Sequence, residues 1–295
     1  MQTMTTWEEA LAHALALAAR LEGEGQYNIA KLARAAVDSL TRKGAYQVKI
    51  PSKRESLVVE VEKAVEALAS LGLEGELVAA LRTGAASLAE GRLPLIHETP
   101  NPYVCRSCGK IVLDKPPDHC PICGAWSATF QEFPPVYWME AYEPFAALHR
   151  LRQTPIDVAT MLEGLDDSAL NTPPAPGEWA IRNTVAHLRD AQGVLSFRLR
   201  LLLEQNNPVL ESKAVFQWAT DESERPPGTK EIYETYREAR RETLALLESL
   251  SMADWWRTGR HQEFGKVTLR QQVSYFTAHE LTHFPQIQSI RAKFV

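Results

Sequence analysis

The sequence predicts a mostly α-helical protein. It has a C-terminal four-helix metal-binding bundle, an N-terminal helical bundle, and a small four-cysteine metal module between them. Three observations predict this class. Apolar residues recur at spacings of three and four across residues 1–92 and again from 136 onward, which is the helical period. All four cysteines fall between positions 105 and 123. Pro94, Pro100 and Pro102 mark a linker before the cysteines, and Pro134 and Pro135 close the segment after them. The resulting units are 1–98, 99–134 and 135–295.

The N-terminal helices are justified in turn. Thr6 with Glu9, and Ser52 with Glu55, have the spacing of capping boxes. Leu11, Leu15, Ala18 and Leu21 share one face of the first helix. Ile29, Leu32, Ala36, Val37 and Leu40 do so in the second. Val58, Val61, Val65, Leu68 and Leu71 serve a third, and Leu77, Ala80, Leu81, Ala85 and Leu88 a fourth. Gly44, Gly72 and Gly91 stand where helices should stop. In the C-terminal unit, Thr154, Pro155 and Asp157 read as a helix start: a cap, a first-turn proline and an acidic third position. A second helix runs from about Trp179 to Gln205, with Ile181, Val185, Leu188, Leu195, Leu199 and Leu202 as its core stripe. After a loop at Asp221 to Gly228, a third runs from about Thr229 to Leu250. The last begins at Thr268, boxed with Gln271. Helices of this number and length suit a bundle. No repeat of fixed period is visible.

Composition bounds the function. Of 295 residues, 45% are hydrophobic and 23% charged, which is ordinary for a globular chain and excludes disordered and disulfide-scaffold classes. Net charge is −5, and no block is strongly basic. Phosphate-rich partners select for a cationic face, so neither nucleic-acid nor membrane-surface binding is expected. The longest apolar stretch, Ala10 to Leu21, is broken by His13 and Arg20 and falls short of the ~18 residues of a spanning helix. Glu8 and Glu9, with no basic residue in the first ten, argue against a secretory leader. The expected location is cytoplasmic, and clustered thiols there read as a metal site, not two disulfides.

Cys105 and Cys108, then Cys120 and Cys123, form two C-x-x-C pairs, each followed by glycine (Gly109, Gly124). Four thiolates at about 2.3 Å hold one tetrahedral ion, and zinc and iron both accept them. Tyr103-Val104-Cys105, Cys108-Gly109-Lys110-Ile111, Cys120-Pro121-Ile122-Cys123-Gly124-Ala125 and Phe130 resemble the rubredoxin-like domain that closes rubrerythrins. That resemblance implies an iron that shuttles one electron; the electron would pass to a metal in the C-terminal bundle or to an outside redox partner. A zinc ribbon that only holds its own domain together is the alternative. Rubrerythrins add a di-iron bundle built on Glu-x-x-His, and this chain departs from that pattern. His13 and His97, the only histidines of the first 98 residues, follow Ala10 and Pro94 by three places. The N-terminal helices are therefore expected to pack or dock, not to hold two irons.

His279-Glu280-Leu281-Thr282-His283 puts two imidazoles on one helical face, one turn apart, where they can grip one ion. The string also reads H-E-x-x-H, the zinc-protease pattern with glutamate as base. Phe284 to Val295 contains no third ligand and Pro285 interrupts the helix, so that reading is set aside. The third ligand is then sought upstream, at His149, His187 or His261. His187 borders the core stripe of the second helix, on a line with Ala191 and Val194; alone it reads as a core histidine, facing His279 and His283 as a ligand. Glu178-Trp179-Ala180-Ile181-Arg182, Ala186-His187-Leu188, Thr268-Leu269, and His279, His283 and Gln286-Ile287 resemble the DinB-like metalloprotein superfamily over roughly 140–295. The resemblance implies a four-helix bundle in which His187, His279 and His283 bind one divalent metal: zinc, nickel, iron or manganese. It brings in thiol-dependent S-transferases and a frequent homodimer.

Three imidazoles leave coordination positions open, which is what a catalytic ion needs. The leading expectation is therefore a metal-dependent enzyme on a small molecule, by hydrolysis or by transfer from a low-molecular-weight thiol. Electron transfer through the cysteine module and non-catalytic metal binding or sensing are the rival expectations. His261, before Gly265 in the loop preceding the last helix, is a candidate acid or base at the site mouth, or a solvated loop histidine. Glu280 is read as surface before support for an imidazole, Arg182 and Arg189 as solvated, and Trp218, Trp255 and Trp256 as core before pocket wall.

Overall fold

Apolar faces written at helical spacing must be covered by other helices, and the chain does this separately in two compact units, Met1–Phe133 and Pro134–Val295. The structure, a computed structural model, describes residues 6–50, 53–211 and 227–294. The expected cap at Ser52, the side chain of Trp218 and most of the loop from Asp221 lie outside the described residues.

The first unit opens with α1 (Trp7–Gly23) and α2 (Tyr27–Tyr46), which pair with each other, and continues with α3 (Arg54–Ser70) and α4 (Gly75–Glu90), which pair likewise. The Thr6–Glu9 capping box is formed in both directions. Helix α2 runs through Gly44 to Tyr46, and α4 stops at Gly91, which is left-handed (φ 82°). The expected face of α2 is displaced. Ile29 and Leu32 are 53% and 65% exposed, while Ala30 and Val37 are buried against α1. Small residues let two backbones approach closely, and the Ala30, Ala33, Arg34, Val37 line lies about 100° round the helix from Ile29. Arg34 on that line donates from Nε and Nη2 to the Glu22 carboxylate at 2.6 and 2.8 Å.

The cysteine module completes this unit. Strands β1 (Pro102–Cys105), β2 (Ile111–Leu113) and β3 (Phe130–Glu132) form an antiparallel sheet in the order β2-β1-β3, with Val104 opposite both Ile111 and Gln131. The module is tied to the helices: the Ile111 amide donates to Glu74, which caps α4, and Arg106 pairs with Glu22.

The second unit is built on α5 (Pro144–Leu162), α7 (Ile181–Glu204), α8 (Thr229–Glu248) and α9 (Leu269–Thr282). Helix α7 packs on α8 and α9, and α5 packs on the same two, so α5 and α7 lie diagonally across the bundle. The expected stripe of α7 is fully buried from Ile181 to Leu202. Two short helices, α6 (Asp167–Asn171) and α10 (Phe284–Arg291), close one end. A small sheet in the order β4-β5-β6 lies between α7 and α9 in sequence: β4 (Val209–Leu210), β5 (Thr258–His261) and β6 (Gly265–Thr268). The sequence reading contained no such sheet; its strands are too short to show a period.

One helix start is corrected. Residue 154 does not open a helix: α5 begins at Pro144, behind Glu143, and Pro155 lies inside it. A proline there removes the amide that would bond the carbonyl four residues back. That carbonyl, on Leu151, accepts from Nη1 of the buried Arg240 at 3.1 Å instead. Arg240 also donates to Gln192 and pairs with Glu280, both partners of the pair being 1% exposed. A polar layer thus divides the bundle core into two apolar clusters, one around Leu195 and Val273, the other around Val185 and Ile287. Among the described residues no helix is long and apolar enough to cross a membrane.

Candidate metal centres

His187 sits two turns into α7. His279 is in the last turn of α9, and His283 caps that helix and begins α10. Pro285, in the first turn of α10, is where a missing amide costs nothing. Because α7 and α9 pack side by side, the three imidazoles meet at their seam. Nε2 of His279 lies 3.3 Å from Nε2 of His187 and 3.3 Å from Nε2 of His283, and the three ligand atoms lie within 4.8 Å of one another. An ion with nitrogens at about 2.0–2.1 Å has them about 3.3 Å apart at the edges of a tetrahedron. The donor set therefore fits one divalent cation.

The electrostatics agree with that fit. Burial, then the neighbouring His283, pushes His187 down to about 4. Burial, then His283 and His187, pushes His279 down to about 3. Both rings are neutral at pH 7, with a lone pair to give. Nδ1 of His283 lies 3.2 Å from Oε1 of Gln286; the amide oxygen accepts the Nδ1 proton and leaves Nε2 as the donor atom. Nδ1 of His279 is buried with no partner. Aromatic rings hold the imidazoles in place. Trp179 stacks on His283 (6.5 Å between centres, 18° between planes), and Tyr275 stacks on His279 (5.9 Å, 12°). Trp138 stands 6.3 Å from His279. A cleft of about 420 Å³, lined by Glu178, Trp179, Gln286, Ser289 and Lys293 among others, adjoins the cluster through Trp179 and Gln286.

Other candidates fall elsewhere. His149 is exposed on α5 and does not join the cluster. His261 is neither a loop histidine nor solvated: it ends β5, is buried, and stacks on Phe264 at 4.2 Å. Its Nδ1 lies 3.2 Å from the amides of Glu263 and Phe264 and accepts from that turn. Burial, then the charge of Arg198, pushes it down to about 3. Glu280 is a plain correction. Its expected surface position is the bundle core, because the next residue after His279 turns about 100° away from the seam, toward α8. There its carboxylate accepts from Arg240 and from the Tyr236 hydroxyl. It is not available as a base. Arg182 and Arg189 are half-buried, Arg182 donating to the carbonyl of Pro227 and Arg189 pairing with Asp190. Trp255 is core and Trp256 lies exposed under Arg270. The walls of the cluster are Trp138, Trp179 and Tyr275. Trp179 stood in the motif that carries the resemblance but without a role, and Tyr275 lay four residues before His279 and hence on its face; Trp138 carried no signal.

The four cysteines converge as well, with all sulfurs within 4.8 Å and none in a disulfide. Sγ of Cys105 and Cys123 are 3.7 Å apart, and those of Cys108 and Cys120 are 3.6 Å apart. Sulfurs at about 2.3 Å from one ion lie about 3.7 Å apart at a tetrahedral edge. The two C-x-x-C pairs are built alike. The amides of Gly109 and Gly124 donate to the carbonyls of Cys105 and Cys120, and both glycines take positive φ (80° and 75°), which a side chain would strain. Burial pushes the Cys105 thiol up, but the amides of Cys108 and Ser107 and the neighbouring Cys123 outweigh it and bring it to about 6.

Fold and donor sets together define a helical-bundle metalloprotein with an appended four-thiolate module. Comparison with known proteins gives the same class. The DinB superfamily matches residues 150–287, and the rubredoxin-like domain of rubrerythrin matches residues 103–131. A Geobacillus kaustophilus protein named "Putative metal-dependent hydrolase" is 30% identical over 157 residues, covering 52% of this chain and 87% of that one. A Bacillus mycoides protein of the same description is 25% identical over 146 residues, covering 50% and 84%. Among solved structures, YfiT from Bacillus subtilis is described as a probable metal-dependent hydrolase with an unusual four-helix bundle topology. It matches with a TM-score of 0.46 at 21% identity, over 51% of this chain and 86% of that one. The chain belongs to the DinB superfamily, with a rubredoxin-like domain ahead of the bundle.

Proposed function

We propose that this protein is a metal-dependent hydrolase of a small molecule, with one divalent cation held by His187, His279 and His283. The observation that carries the reading is the convergence of three imidazole nitrogens within 4.8 Å of one another, His279 Nε2 standing 3.3 Å from each of the other two, beside an open cleft. Bound there, a divalent cation supplies Lewis acidity, polarising a substrate oxygen and making water a better nucleophile near neutral pH. The chain's own residues do the rest. Gln286 fixes the His283 tautomer, Tyr275 and Trp179 lock ring orientations, and the exposed part of Trp179 offers an apolar face to whatever enters the cleft. Hydrolysis is placed ahead of thiol-dependent transfer because the relatives are described as hydrolases.

For Cys105, Cys108, Cys120 and Cys123 we propose one tetrahedral zinc or iron. The test of both assignments is metal content by elemental analysis of the whole chain. Wild type is expected to hold two equivalents per chain after loading, and His279→Ala or His283→Ala one, with activity on a panel of amides and esters lost. Retention of wild-type stoichiometry in both variants would end the three-histidine assignment. Iron in the cysteine site would show as thiolate-to-iron absorption bleached on reduction, and colourless zinc protein would remove the electron-transfer reading.

A further inference from the structure

A second cleft opens on the seam of the bundle opposite the histidines. It lies between the C-terminal half of α5 and the first turns of α8, with the α5–α6 turn and α6 as its third wall. Its volume is about 620 Å³, within the roughly 300–1,000 Å³ of small-molecule cavities. Ile156, Leu162, Leu165, Leu170 and Tyr233 give it an apolar lining. It shares no residue with the histidine cluster or with the cleft beside that cluster. The buried side chains of Val185, Ile232 and Tyr236 fill the core between the two seams. A molecule held in the second cleft is therefore out of reach of the histidines.

The polar feature of this cleft is the start of α8. Its N-cap is Gly228, which has no side chain, so no side chain caps the first-turn amides. Thr229, the first residue of α8, lines the cleft and is 2% exposed, and its hydroxyl is buried without a hydrogen-bond partner. A threonine further along the helix returns its hydroxyl to the carbonyl four residues back, as Thr235 does to Glu231 at 3.0 Å. At the first position no earlier helical turn supplies that carbonyl. An unpaired buried hydroxyl is costly, and a ligand oxygen relieves it. Rotation about the Cα–Cβ bond swings the hydroxyl between staggered positions without moving the backbone, so a ligand lying against Thr229 can take it up. The surroundings are fixed. Arg182 donates to the Pro227 carbonyl at 2.9 Å and anchors the entry to α8, and the Tyr233 hydroxyl donates to the Pro155 carbonyl at 3.0 Å, tying α8 to α5.

Charge decides what kind of head fits. Lys230 and the positive end of the α8 dipole oppose a cation. Glu163 and Asp167 line the same cleft and oppose an anion, while Glu234 is already paired with Arg237. A neutral oxygen offends neither side. We propose that the α5–α8 cleft binds a neutral, largely apolar small molecule that carries a carbonyl oxygen, of the amide or ester class. That oxygen accepts from the Thr229 hydroxyl and from the uncapped first turn of α8, and the hydrocarbon part lies on Leu162, Leu165, Leu170 and Tyr233. The site binds and does not react, and it stands whether or not the histidine centre is a hydrolase.

The test uses the whole zinc-loaded chain. The probe is 4-phenylbutanamide, and 4-phenylbutyrate and 4-phenylbutylamine are its charged counterparts. The readouts are the methyl resonances of Ile156, Leu165, Leu170 and Thr229, and magnetisation transfer from the probe to those methyls. Saturable shifts with the amide are expected, with both charged counterparts at least about tenfold weaker. Thr229→Ser should keep the affinity. Thr229→Val should weaken it about tenfold, the loss of one hydrogen bond, with metal content unchanged in both variants. Ala159→Trp, which fills the cleft, should abolish the shifts; if A159W does not fold, T229V against T229S carries the comparison. Equal or tighter binding of the carboxylate or the amine overturns the ligand class, and an unchanged affinity in T229V removes Thr229 as the anchor. Probe contacts at Trp179 and Gln286 in place of the four methyls put the ligand at the histidines and overturn the site. So do contacts from the Thr229 methyl to another segment of the ligand-free chain, which would fill the cleft from within, and a dimer that A159W dissociates, which would make a second copy its cover.

Discussion

His261 shows how one residue's surroundings decide its chemistry. A histidine next to a glycine-containing turn reads as a solvated loop residue before an acid or base at a site mouth. Here β5 carries it inward, and two backbone amides converge on its Nδ1. Protonation would displace both bonds and place a charge near Arg198 in a buried setting. The pH consequence has a definite sign. The folded value, about 3, lies below the unfolded value near 6.5. Stability contributed by the neutral ring is therefore complete above about pH 6.5, and it falls as pH drops toward 3, because the unfolded chain binds the extra proton. Urea unfolding in excess chelator should show an acid limb that His261→Gln flattens by roughly 1 kcal/mol per pH unit. An unchanged slope would mean the ring is not held neutral. Glu280 carries the complementary lesson. One residue from a candidate ligand in sequence, it is the counter-charge of Arg240 in the core and plays no part at the cluster.

At the level of elements, α5 contains a proline that helix rules place at an end. The usual cost of an interior proline is about 3 kcal/mol, most of it a lost hydrogen bond and a clash with the preceding turn. In α5 the orphaned Leu151 carbonyl is taken by Arg240, and the Pro155 carbonyl accepts from the Tyr233 hydroxyl at 3.0 Å. Pro155→Ala is therefore expected to stabilise by less than about 1 kcal/mol, because a restored amide must compete with the guanidinium for one oxygen. Equilibrium unfolding measures this, and a gain near 3 kcal/mol would show that the Arg240 bond to the Leu151 carbonyl offsets none of the cost of Pro155. Helix α9 shows why an i, i+4 histidine pair was legible while its setting was not. Spacing alone puts His279 and His283 on one face, but that the face meets α7, and not α5 or α8, follows from packing.

Across the whole molecule, two donor sets sit in two separate units, the thiolates in Met1–Phe133 and the imidazoles in Pro134–Val295. Among the described residues each set draws its ligand atoms from its own unit. Cys108→Ser should accordingly lose one metal equivalent, loosen its own module, and leave the histidine equivalent and the helical circular dichroism of the bundle nearly intact. Loss of both metals together would contradict that independence. The sequence by itself determined the helices of both ends, the two C-x-x-C knuckles with their glycines, the His279–His283 pair and the α7 core stripe. These are local patterns, set by helical period, φ preference and ligand spacing. Only the tertiary structure decided that His187 closes the triad, that Glu280 and His261 are buried, that α2 turns its alanines and not its isoleucine inward, and that Arg198 meets Gln272. The physical reason is common to all four: each depends on which helix covers which face, and a buried charge or imidazole is defined by neighbours far along the chain.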